Sequence, residues 1–208
     1  MEGSTVWLVG MMGAGKSAVG QALAERRGAR FEDSDALIEA RARRPIPEIF
    51  AEDGEQAFRR LEREVIESLA GHPGVVALGG GAICQPGAAE MLRGSGTVAY
   101  LRATPETLAQ RVGEASVRPL LAGLDPAARL ERIRELLAER EIHYGQADVT
   151  LDTDTLDIDA ASAALARAFA RFASDWPGRI APTRFGSVRA PSMMRGMPSP
   201  RRRRPRAR

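Results

Sequence analysis

The sequence predicts an α/β fold, a three-layer sandwich whose central sheet is mostly parallel. Short apolar runs alternate with longer amphipathic stretches from Thr5 to Phe172. The first apolar run, TVWLVG, ends in a glycine-rich turn that opens a helix. The third, GVVAL, is apolar throughout, as befits a buried strand.

In chain order, Thr5–Gly10 reads as the first strand, and an amphipathic helix runs from the turn at Gly13–Lys16 to about Arg27. Phe31–Asp33 is a brief second strand, with Ser34 placed to cap the next helix. Pro45–Ala70 reads as a helical turn and then a longer helix, in which Ala57, Phe58, Leu61, Val65, Ile66 and Leu69 share one face. Gly74–Leu78 is a strand halted by Gly79, Gly80 and Gly81. Gly96–Leu101 is another, and Thr104 and Pro105 announce the helix after it. Gly113–Gly123 reads as a mobile loop and Asp125–His143 as a long charged helix. Asp148–Leu151 and Asp157–Phe172 supply the last strand and the closing helix. No repeat is present.

The 208 residues carry a net charge of +3, but the charge divides sharply along the chain. From Trp176 onward there are ten Arg and no acidic residue, leaving 20 basic against 27 acidic groups, net −7, in residues 1–175. That acidic body does not read as a nucleic-acid binder. Residues 176–208, rich in Pro, Gly, Ser and Arg without periodicity, read as a disordered basic tail. No apolar run approaches the ~18 residues of a membrane span, and the start of the chain shows no secretory pattern. The single cysteine, Cys84, allows no internal disulfide and suits a reducing cytoplasm. One Cys and two His make a multi-ligand transition-metal centre unlike this chain.

Gly10-Met11-Met12-Gly13-Ala14-Gly15-Lys16-Ser17 fits G-x-x-x-x-G-K-[ST], between a strand and a helix as the motif requires. Glycines let the backbone curl so that successive N–H groups meet phosphate oxygens, and the helix N-terminus adds partial positive charge. Lys16 is the expected bridge between β- and γ-phosphates and the Ser17 hydroxyl an expected Mg²⁺ ligand. Gly13, Ala14, Gly15 and Ala18 complete the ATP loop. Lys16 is also the only lysine beside 29 arginines, so lysine persists where a compact ammonium does what a planar guanidinium does poorly.

With Asp33-Ser34-Asp35, IPEIF, Gly54-Glu55, Phe58-Arg59, the Gly79–Gly81 run and Arg118-Pro119-Leu120-Leu121 following in order, the chain resembles shikimate kinases from about Val6 to Phe172. The resemblance implies a nucleoside-monophosphate-kinase-like fold spanning 1–175, with a substrate-binding region at about 33–62 and a lid at about 113–124. It implies ATP with Mg²⁺ and transfer to the shikimate 3-hydroxyl; a cytoplasmic monomer is expected. It places Asp33 near the metal and Asp35 at the substrate hydroxyls as proton acceptor, although DSD also serves as a capping turn. It gives Arg59, oriented by Glu62, the substrate carboxylate, where an exposed Arg–Glu pair is the alternative. Phe50 and Phe58 become pocket walls, and Gly79, Gly80 and Gly81 approach the substrate ring. Arg118 becomes the lid cation facing the transferred phosphoryl group, or else a surface loop residue. Arg111 borders the adenine or stands on an exposed helix face. Arg140 becomes the second carboxylate ligand, although the family's R-x-P-x-Y reads here Arg140-Glu141-Ile142-His143-Tyr144 without the proline, so the helix is expected to run further. Another small-metabolite kinase such as a gluconate kinase, a nucleoside-monophosphate kinase, and a non-catalytic ATP-binding module are the competing readings.

Overall fold

The computed structural model describes residues 5–112 and 119–175. The expected basic tail, Arg118 and the first half of the expected lid lie outside these residues.

Strand β1 (Thr5–Val9) is buried at every position, which requires cover on both faces of the sheet. It leads into α1 (Lys16–Arg27), which stops at Gly28, a left-handed residue whose N–H returns to Ala24 and Glu25 carbonyls. β2 (Phe31–Asp33) is followed by three helices, α2 (Ser34–Ala42), α3 (Ile46–Glu52) and α4 (Gly54–Leu69). β3 (Gly74–Ala77), α5 (Ala88–Ser95), β4 (Gly96–Arg102), α6 (Pro105–Val112), α7 (Pro126–Tyr144), β5 (Val149–Asp152) and α8 (Ile158–Asp175) complete the chain. The sheet order is β2-β3-β1-β4-β5 and every pairing is parallel, so the sheet is wholly and not just mostly parallel.

β1 is central, and the chain leaves it toward β2 and β3 on one side and β4 and β5 on the other. The turn after β1 thus sits at the topological switch, where open parallel sheets take up ligands. β2 and β3 end beside it. Around the sheet lies one large apolar core that includes Trp7, Leu23, Leu78, Tyr100 and Phe169. Ile38, Ile49, Phe58 and Val65 form a separate small core under α2, α3 and α4, so this helical segment packs as a lobe on the end of the sheet. Its span coincides with the expected substrate-binding region.

Ser34 does not cap α2: it is the first helical residue, and Asp33 caps instead, accepting from the Asp35 and Ala36 amides. The longer carboxylate reaches both orphan N–H groups, which leaves the buried Ser34 hydroxyl to accept from the Gly79 N–H at 3.0 Å. Between Gly81 and Gly96 the chain makes a 3₁₀ turn (Ala82–Cys84) and α5, neither of them expected. With eight residues between two capping glycines, α5 shows too little periodicity to announce itself. α7 runs unbroken through Ile142, as the missing proline allows, and carries Arg140 and Tyr144 in its last turns. Within the described part of the expected lid, residues 119–124, Pro119–Leu121 forms a 3₁₀ turn that buries Leu121 in the main core.

Candidate functional site

One cleft of about 970 Å³ crosses the ends of β1, β2 and β3 and gathers most of the residues singled out in the sequence. Its floor is the turn after β1. Gly10, Gly13 and Gly15 have φ of +140°, +82° and +90°, conformations that L side chains rarely adopt. A Cβ on Gly10 would stand 2.5 Å from the Leu101 carbonyl oxygen, so the turn is held against β4 by close backbone contact. The amides of Met12, Gly13 and Gly15 donate to no partner among the described residues. Such a curl of unpaired N–H groups running into a helix N-terminus is a cradle for anions.

Lys16 folds back over this loop and donates from Nζ to the Gly10 and Met11 carbonyls at 2.9 and 3.0 Å. The Ser17 hydroxyl donates to Asp33 Oδ2 at 2.6 Å, while Asp33 Oδ1 holds the first turn of α2. One carboxylate therefore fixes β2, α2 and the phosphate loop relative to each other. Ala14, Ala18 and Asp35 also line the cleft.

Arg59 and Arg140 stand beside the glycine run, and Arg140 also touches the loop. Arg59 is clamped on three sides: Nη1 to Glu62 at 2.7 Å, Nη2 to Glu55 at 3.0 Å, and the guanidinium over the Phe58 ring at 5.2 Å. Phe58 packs on Phe50, with ring centroids 4.7 Å apart, and both rings line the cleft as expected. Glu62 is fully buried and also accepts from Gln85 at 2.8 Å. Burial pushes its carboxyl above the usual carboxylate range, against the opposing pull of Arg59. For Arg59, burial works against the charge, but the two carboxylates outweigh it and the guanidinium is held more firmly charged than usual. Arg140 is buried, with Nη1 3.7 Å from the Met11 sulfur.

The glycine run separates these groups. A Cβ on Gly79 would meet both Asp35 Oδ1 and Glu62 Oε1 at 2.7 Å. One on Gly81 would lie 2.8 Å from both terminal nitrogens of Arg59, and one on Gly80 would lie 3.4 Å from Arg140 Nη1. Each of the three glycines thus has its own charged neighbour, and any side chain at Gly79 or Gly81 would displace it.

Arg111, which also lines the cleft, does not hang free. It donates to the Thr153 hydroxyl at 3.1 Å and the Thr153 carbonyl at 2.6 Å, which ties α6 to the chain beyond β5. Arg118 lies outside the described residues. Sequence reasoning missed Thr153, Leu156 and Ile158, which line the cleft beside Arg111. The signal available was their place just after the last predicted strand, where open sheets gather ligands; the structure adds that Ile158 is left 51% exposed. It also missed Gln85, whose partner Glu62 is buried 23 positions upstream.

The arrangement brings an anion cradle with a lysine, two guanidinium groups at the glycine run, and Asp35 beside Gly79 into one cleft. Such a cleft can hold a nucleoside triphosphate against a small acid that carries hydroxyl groups. Comparison with known proteins agrees. The family model for shikimate kinase matches residues 12–170. A shikimate kinase of Mycobacterium avium is 50% identical over 149 residues, covering 71% of this chain and 82% of the relative. One of Chlorobium chlorochromatii is 42% identical over 177 residues, covering 82% and 93%. The solved shikimate kinase of Acinetobacter baumannii in complex with shikimate superposes with a TM-score of 0.75 at 36% identity, covering 85% of this chain and 97% of that one. A gluconokinase of Sinorhizobium meliloti, at 20% identity and a TM-score of 0.53, shares the fold alone.

Proposed function

Because the chain belongs to the shikimate kinase family, we propose the following account of how its cleft carries out ATP-dependent phosphorylation of shikimate. The observation that carries the account is the Gly80–Gly81 peptide flanked by Arg140 and Arg59, in the same cleft as the phosphate loop. Two guanidinium groups bracketing one small space match a single carboxylate, and Asp35, beside Gly79 at the start of the same glycine run, is where the ring hydroxyls of such an acid would face.

In this account the amides of the loop and Lys16 hold the β- and γ-phosphates, with Gly13 to Ala18 as the loop and Arg111 near the base. Asp35 orients the 3-hydroxyl and accepts its proton as the oxygen attacks the γ-phosphorus, whose bond to the β,γ-bridging oxygen breaks so that ADP leaves. Lys16 leaves the Gly10 and Met11 carbonyls to follow the charge of the transferring group. Arg118, on a lid spanning about 113–124, is assigned the same task from the opposite side. The Ser17 hydroxyl beside the Asp33 carboxylate is a hard-oxygen pair that fits Mg²⁺, an ion that takes few protein ligands and completes its shell with phosphate and water. Bound there, the ion supplies charge neutralisation at the phosphates. The lone Cys84 and the acidic body support a cytoplasmic enzyme whose body engages no nucleic acid, and we take it as a monomer.

A gluconate kinase would keep Lys16 and Ser17 but would not require both arginines. ADP release measured with shikimate, gluconate, AMP, CMP or no acceptor separates the readings, and turnover with shikimate alone is expected. Arg59→Ala should raise the shikimate KM by about 10- to 100-fold, the scale of one charge-assisted bidentate contact, with kcat changed far less. Unchanged affinity in that variant would place the carboxylate elsewhere.

A further inference from the structure

Tyr144 lies four residues beyond Arg140, on the same face of α7, and is fully buried. Its phenol oxygen donates to the Gly80 carbonyl at 2.5 Å. Its ring stacks on Tyr100 of β4 with centroids 4.8 Å apart, and Tyr100 in turn donates to Glu141 at 2.9 Å, one position after Arg140. This buried pair docks the end of α7 on the glycine run.

A trans peptide is planar, with its carbonyl and the following N–H pointing in opposite directions. Fixing the Gly80 oxygen toward Tyr144 therefore fixes the Gly81 N–H away from it. That N–H has no acceptor among the described residues. The same peptide has Arg140 against Gly80 and Arg59 against Gly81.

We propose that Tyr144 is a positioning residue for the acceptor: through the Gly80 carbonyl it turns the Gly81 N–H into the cleft between Arg140 and Arg59, as the third donor to the substrate carboxylate. One helix face then sets Arg140 directly and the amide indirectly, so the two donors keep a constant spacing. The inference rests on the carboxylate clamp argued above.

The test is Tyr144→Phe, which keeps the ring stack and removes the hydroxyl that clamps the Gly80 carbonyl and also faces Arg140, so the Gly81 amide is read directly as well. The shikimate KM should rise about tenfold, as for loss of one hydrogen bond to a charged group, with kcat and the ATP KM within about twofold. With shikimate methyl ester, which presents no carboxylate, wild type and variant should differ by less than twofold. An equal loss with acid and ester, or no loss at all, would overturn the proposal by reducing Tyr144 to a packing residue. If the variant does not fold, the wild-type enzyme still decides: the Gly81 amide proton should shift downfield on titration with shikimate and not with the ester, and an unmoved resonance counts against the idea. Arg59→Ala, measured alongside, keeps the two claims apart. Normal shikimate affinity there removes the clamp itself, whereas a weakened Arg59→Ala beside an unaffected Tyr144→Phe removes only the role of Tyr144.

Discussion

Lys16→Arg is expected to lose about 10²- to 10³-fold in kcat, the scale for removing one preorganised electrostatic stabiliser of a transition state. The substitution keeps the charge, so the expectation rests on shape. Lys16 Nζ reaches two adjacent carbonyls of its own loop, 2.9 and 3.0 Å away, as a compact point donor over a turn that three left-handed glycines fold tightly. A guanidinium is wider and planar, and its donors spread in a fixed fork that cannot collect at one point between two phosphates. The fold should be unharmed, because the side chain lines the cleft and not the core. Thermal unfolding should therefore match wild type while ADP release collapses. Near-normal turnover of Lys16→Arg would show that the chain's only lysine stands there by accident of composition.

Asp35→Asn should lower kcat by about 10² or more, with a much smaller effect on the shikimate KM. The amide preserves size and packing against Gly79, where Asp35 Oδ1 lies 2.7 Å from the position a Cβ would take. What it removes is a proton acceptor and a negative charge opposite the attacking hydroxyl. The capping of α2 should survive, since Asp33 supplies it. A variant with full kcat would transfer the role of base away from Asp35.

These expectations came from residues whose roles depend on sequence spacing, and those were legible. The phosphate loop needs its neighbours in the chain and nothing else, so a strand, a glycine pattern and a helix were enough. Arg59 stands off the apolar stripe of α4 with Glu62 three residues on, a spacing that by itself suits an exposed ion pair, so its place in the substrate set came from the resemblance. What could not be read were contacts made by topology. Gln85 meets Glu62, Thr153 meets Arg111, and Tyr144 meets Gly80 across 64 positions of chain. The second misreading was local: Asp33 and Ser34 both suit a helix cap, and only the buried Gly79 N–H, waiting for an acceptor, decides which of them is used.

The Arg59–Glu62 pair also has a thermodynamic side. Glu62 has no exposed surface, and its Oε1 is a buried atom without a hydrogen-bond partner among the described residues. Its carboxyl is held above the usual range by burial, so the folded protein binds that proton more tightly than the unfolded chain does. The group therefore detracts from stability above its unfolded pKa, and the deficit fades as the pH falls. Replacing such a pair with apolar residues commonly stabilises a protein by about 1–4 kcal/mol, roughly 2–16 °C in Tm for a chain of this size. The double variant Arg59→Met with Glu62→Leu should thus melt higher than wild type while losing its grip on the acceptor. With Arg59 as the proposed acceptor clamp, resilience in this lobe is given up for affinity, and selection for heat resistance alone would erode that clamp.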